Sequence, residues 1–267
     1  MDLPKIEDLI SCGDPEYLET LARKLIRAGL GSSGVFVERL SPKESVSIGK
    51  REGPHASTRL AACEDPWNAY QYAQHVDKGP RDDTRQAACG GPQDAYQYAL
   101  LVDQGPREDT RQAACEEPNS AYQYALRVDK GPREDTRQAA CEDLRYAYLY
   151  AFQVDKGPRE DTRQVACEDP YYAYKYAADM DKGPRDDTRL AACGGPESAY
   201  WYALKVDKGP REDTRLVACG NPHYAYRYAL KVDKGFQNET WAAVQGTEWE
   251  EDFRRYVLKM KFRSLGT

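Results

Sequence analysis

Histidine is scarce: three in 267 residues (His55, His75 and His223), at unrelated places. That scarcity works against both a metal site and a histidine-activated nucleophile. No C-x-x-C, G-x-S-x-G, H-E-x-x-H or glycine-rich phosphate loop occurs, so no cofactor, no metal ligands and no catalytic residues are expected. Long apolar runs are missing too; none approaches the roughly 18 residues of a membrane span. No basic segment followed by an apolar one opens the chain, and the expectation is a cytoplasmic protein without a membrane partner. An excess of basic charge is lacking: the formal net charge is -6 and the isoelectric point about 5.3. A general polyanion binder usually carries a strongly basic face.

What the chain has in abundance is one 26-residue motif, D-P-W-N-A-Y-Q-Y-A-Q-H-V-D-K-G-P-R-D-D-T-R-Q-A-A-C-G from Asp65 to Gly90, repeated in register. Each copy carries two helix signals. The first starts at Asp65-Pro66, a capping residue followed by a proline suited to the first turn. It runs to Asp77-Lys78, where Gly79 is expected to take the left-handed conformation that ends a helix. Pro80 is expected to open a second helix that reaches Cys89. The starting position is held in later copies by Gly91, Glu117, Asp143, Asp169, Gly195 and Asn221, and Leu144 replaces the proline once. Helices of about ten to fourteen residues cannot bury their apolar faces alone, so the copies stack. The expected fold is all-α, an α-solenoid of two-helix repeats in one domain. Residues 1–28 read as a worn N-terminal cap and 53–235 as the repeats. The stretch 236–267 reads as a C-terminal cap, with a capping box at Thr247-Glu248-Trp249-Glu250 and a stripe of Phe253, Tyr256, Val257 and Met260. Residues 29–52 break the period. The alternation in Val35-Phe36-Val37-Glu38-Arg39 and Ser45-Val46-Ser47-Ile48-Gly49 predicts a loop or small β-hairpin inserted there.

Seven of the eight cysteines are one repeat position met again and again, from Cys63 to Cys219. Stacked helices lie about 8–10 Å apart, while a disulfide needs Cα atoms within about 7 Å, so the ladder reads as small buried hydrophobes. Nearly every repeat also carries Asp77, Lys78, Arg81, an acid at 82, Asp83 and Arg85 or their equivalents. Such a unit is close to neutral, which predicts pairing between neighbours rather than phosphate tracking.

Comparison of the copies separates two faces. The near-constant positions of the first helix (Pro66, Ala69, Tyr70, Tyr72, Ala73, Val76, Asp77) fall within roughly 160° at about 100° per residue, a stacking arc. The changeable positions lie opposite, and there the chain places aromatic and basic side chains of the kind enriched at binding hot spots. The candidate partner-binding residues are Trp67, Gln71, His75, Tyr146, Leu149, Gln153, Tyr171, Lys175, Trp201, Lys205, His223 and Arg227, with Phe152, Tyr172 and Tyr224 beside them. The function these residues predict is non-catalytic binding of a protein partner. The alternative is single-stranded RNA or DNA along the ladder, with the paired tyrosines as stacking platforms.

The pattern D-P-x-x-A-Y-x-Y-A-x-x-V-x-x-G-P, across residues 54–235, resembles a short α-helical repeat of bacteriophage and bacterial proteins, and is tetratricopeptide-like only in architecture. The chain departs from it in Lys-Gly-Pro-Arg and in the Asp-Thr-Arg that follows. The resemblance implies a solenoid and a phage or bacterial source, with a host factor as the partner.

Overall fold

The computed structural model describes residues 40–258; the proposed cap at 1–28, the 29–39 part of the insert, and Met260 lie outside the described residues. By its contacts the chain divides into two compact units, 1–130 and 131–267. In each, the described residues form helix pairs packed on their neighbours, an α-solenoid, and no strand occurs among them.

The first helix of a repeat is an α-helix that widens into a π turn, Pro66–Tyr72 followed by Ala73–Asp77 and, in the second unit, Leu144–Tyr150 followed by Ala151–Asp155. The Asp65 carboxylate accepts the Asn68 N–H at 2.9 Å, and Asp143, Asp169 and Asn221 cap their helices in the same way. Gly91, Glu117 and Gly195 hold the same extended backbone without a side-chain bond to the first-turn N–H groups. At the other end the expected role of Gly79 belongs to its neighbour. The N–H groups of Lys78 and Gly79 both reach the Ala73 carbonyl, and Lys78 sits at φ 56°, ψ 36°. Gln104, Lys130, Lys156, Lys182, Lys208 and Lys234 repeat this left-handed conformation, while Gly79 does not adopt it. The π turn brings the reversal one residue early, onto a side chain that costs about 1 kcal/mol to place there.

The second helix is shorter than its sequence signal. It spans Asp82–Ala88, with Arg81 as an extended N-cap, so Pro80 stays outside it. Asp83 Oδ1 accepts the Thr84 N–H at 2.9 Å and secures the first turn.

Packing follows from small residues at the helix crossings. Ala69, Ala73, Ala88, Tyr72 and Tyr98 are fully buried. Tyr70, Ala73 and Ala88 of one repeat enclose Tyr98 and Val102 of the next. The Tyr98 hydroxyl accepts the Arg81 N–H at 3.0 Å and lies 2.9 Å from Thr84 Oγ1, so it satisfies the open start of the preceding second helix. Tyr72, Tyr124, Tyr150, Tyr176, Tyr202 and Tyr228 make the same lock. The charged ladder pairs neighbours as expected. Arg85 forks onto the buried Asp103, with Nη2 to Oδ1 at 2.8 Å, and Arg163–Asp181 and Arg215–Asp233 do likewise. Arg59 and Arg137 spread further, each also reaching the surface carboxylate six residues beyond the buried one, Asp83 and Asp161.

The structure corrects the reading of 42–52 as part of a β insert. Pro42–Glu52 is an α-helix, opened by a capping box in which Ser41 and Glu44 satisfy each other's backbone. Val46 packs with Ala62, Tyr72 and Val76. Gly49 lies so close that a Cβ on it would meet Val76 Cγ1 at 2.8 Å and Tyr72 Cε2 at 2.9 Å. The segment therefore stands where a first helix stands, and apolar alternation was a weaker determinant than its cap and its Gly53-Pro54 exit.

Two details of the C-terminal cap also change. Glu250 reaches back to the Gly246 N–H rather than to Thr247, so the box is displaced by one residue. Phe253 and Val257 are buried, but Tyr256 is 44% exposed, because Phe253–Leu258 is a π turn and the i+3 position swings off the buried stripe.

Among the described residues the repeat cysteines, Cys63 to Cys219, form no disulfide and are half-buried. Burial pushes the thiols of Cys63, Cys89, Cys141, Cys167, Cys193 and Cys219 up to about 11 from 9.0. Burial likewise raises the locking tyrosines. Groups that hold their protons more tightly when folded contribute stability below their unfolded pKa and lose it as pH rises through the folded value. Thermal midpoints are accordingly expected to be flat from pH 7 to the thiol pKa of about 9 and to fall steeply toward pH 11, which a pH series of melting curves checks.

Candidate interaction face

The changeable positions of the first helices lie along one side of each helix, and the two units present them differently. In residues 40–130 the side chains are sparse. Trp67 is 51% exposed, its ring 5.3 Å from Tyr70. Gln71 is half-buried and His75 exposed. Partial burial and the Lys50 ammonium hold the His75 imidazole below its ordinary range.

In residues 131–258 the same positions gather into two aromatic clusters. The first centres on Tyr148. Phe152 stacks on it at 6.0 Å and 6°, Tyr172 tilts against it at 5.9 Å, and the Lys175 ammonium lies 5.8 Å over its ring. The Tyr148 hydroxyl donates to Asp179 Oδ2 at 2.7 Å, and Asp179 is also bound by Lys175 at 2.8 Å. Burial, then the bond to the Asp179 carboxylate, pushes the Tyr148 phenol up to about 12. Tyr171, 53% exposed, stands edge-on to Tyr172 at 5.5 Å. Tyr146, Leu149 and Gln153 are half-buried on the same helix, where Arg145 and Phe152 are the exposed residues.

The second cluster is continuous across two repeats and the cap. Trp201 packs on Tyr200 at 5.0 Å, and Tyr200 on Tyr224 at 5.9 Å. His223 lies 5.0 Å from Tyr224 and 4.7 Å from Trp249, and Trp249 stacks on Tyr226 at 5.6 Å. The Arg227 guanidinium covers both Tyr200 and Trp201, at 5.3 and 5.5 Å, while Lys205 approaches Trp201 at 5.9 Å.

No protein family, curated protein or solved structure matches the chain. Any functional assignment therefore rests on this geometry. Among the described residues, no helix is long and apolar enough to cross a membrane.

Of the sequence-derived candidates, Trp201, Lys205, His223 and Arg227 meet in one cluster, and Tyr171 and Lys175 meet around Tyr148 and Tyr172. Four contributors escaped the sequence reading. Tyr148, Tyr200 and Tyr226 belong to the first-tyrosine series of the stacking arc, yet their rings join the clusters. The four-residue spacing of Tyr148 and Phe152 put both on one helix face and could have revealed that. Trp249 joins from the C-terminal cap, and no spacing rule reaches it.

Proposed function

We propose that the chain is a non-catalytic scaffold that binds a protein partner through the variable face of its first helices, chiefly in residues 131–258. The observation that carries this reading is the unbroken run of rings from Trp201 to Trp249, two of them overlaid by cations, in which Trp201 stands where the other copies place Gln, Leu, Lys or Arg. Rigid aromatic and Arg side chains supply large contact area with little ordering entropy, which is why they dominate binding hot spots. The resemblance to phage and bacterial repeats makes a host protein the natural partner to seek.

The test is affinity capture from the source-cell lysate, with and without nuclease, using the parent and Phe152→Ser/Tyr171→Ser/Trp201→Ser. These rings are exposed or half-exposed, so the fold is expected to survive. One protein retained in both lysates and lost by more than about tenfold with the variant is the expected result. Recovery of nucleic acid alone, or equal capture by parent and variant, would discard the reading.

A further inference from the structure

From the charge on this face we infer that the partner surface is an acidic, carboxylate-bearing protein segment seated on the Trp201–Lys231 region. The inference rests on the protein-binding reading above and specifies the chemistry of that partner. The chain as a whole is acidic, with 44 Asp and Glu against 38 Lys and Arg. The varying first-helix positions of residues 131–258 reverse that balance, with Arg145, Lys175, Lys205, Arg227 and Lys231 against Asp179 and Glu197.

Both acids are already engaged. Asp179 is held by Lys175 and by the Tyr148 hydroxyl. Glu197 accepts from Trp201 Nε1 at 3.4 Å and bonds the Tyr224 hydroxyl. Lys205, Arg227 and Lys231 have no carboxylate within ion-pair distance among the described residues. Arg227 and Lys205 are instead held over rings. Arg227 also bonds the Tyr200 hydroxyl; the arrangement fixes the cations yet leaves the remaining guanidinium N–H groups and the Lys205 ammonium able to meet carboxylates.

A single-stranded nucleic acid fits this face less well. The Trp201 indole is covered by two cations, so a base would have to displace them to stack. The few cations could neutralise only a short run of phosphates, on a molecule whose net charge opposes a polyanion. A segment with two or three carboxylates matches the number of free cations.

The experiment measures fluorescence anisotropy of the full chain with a fluorescein-labelled peptide of alternating glutamate and leucine. Its glutamine counterpart and an oligothymidylate of equal charge serve as comparisons. Lys205→Glu/Lys231→Glu, at exposed positions, probes the face. Arg227→Gln probes the ring-held cation, and Lys43→Glu/Lys50→Glu controls for net charge. The inference expects the acidic peptide to bind and its glutamine form not to. It further expects Lys205→Glu/Lys231→Glu to weaken binding roughly tenfold and the control pair to change it less than about twofold. Equal binding of both peptides, no binding, or an equal loss in the control pair overturns it. So does tighter binding of oligothymidylate that the face variant abolishes. If capture from lysate still depends on Phe152, Tyr171 and Trp201 while the peptide result is negative, the acidic-partner inference alone falls and the scaffold reading stands.

Discussion

Tyr150→Ala is expected to lower the unfolding free energy by about 3–5 kcal/mol. Tyr150 is fully buried, and its hydroxyl accepts the Arg133 N–H at 2.9 Å and lies 2.9 Å from Thr136 Oγ1. Alanine removes the ring from the helix crossing and leaves the start of helix Glu134–Ala140 without that partner. Tyr150→Phe separates the two losses: it keeps the ring and strands the backbone group, at about 1–3 kcal/mol. Urea unfolding followed by circular dichroism gives both values, and an unshifted midpoint for the alanine variant would mean that the stacking face has been assigned to the wrong side of the helix.

The second large effect is expected at Arg137. Its guanidinium, only 4% exposed, reaches Asp155 at 3.1 Å and Asp161 at 2.8 Å, and also contacts Glu134. Arg137→Met leaves the buried Asp155 carboxylate without its ion-pair partner, a loss of about 3–5 kcal/mol. Replacing both residues, Arg137→Met/Asp155→Leu, is expected to recover most of it, since no charge is then buried. Burial already raises the Asp155 carboxyl, and Arg137 opposes that rise. In the single variant the folded carboxyl therefore takes up its proton at a higher pH than the unfolded chain does. Its stability deficit is expected to shrink as pH falls from 7 toward the ordinary carboxyl range near 4. A deficit that grows instead would contradict the burial of Asp155.

Much of this architecture was legible because each boundary is punctuated by side chains with a chemical reason to be there. Asp65-Pro66 and Gly79-Pro80 marked the first helix, and the recurrence of Tyr72 and Ala73 marked its buried side. The helix at Pro42–Glu52 escaped because its apolar residues, Val46 and Ile48, sit two apart like a strand. Yet Ser41-Pro42 and Gly53-Pro54 repeat the same start and stop, with two residues fewer between them and no π turn. The left-handed lysines were not legible: the π turn that creates them has no composition of its own, and the glycine beside each drew the assignment. At the candidate face, position alone identified Trp201 and Arg227. That Arg227 would lie over two rings depended on contacts between residues 26 and 27 apart, which no single-helix projection contains.

The tyrosine lock also bears on how such a chain can change its length. Each lock joins a second helix to the first helix after it, as Thr162 is joined to Tyr176, and Arg163 to Asp181 by the ion pair beside it. The 26 residues from Pro158 to Gly183 therefore contain both halves of every such bond they make, and their removal would bring Gly157 against Pro184, a junction the chain already uses. Whole periods can be lost or duplicated by unequal recombination without orphaning a buried hydroxyl. What such an event alters is the order of side chains displayed on the variable face, so under the proposed binding role recognition would be edited in units while the framework is kept.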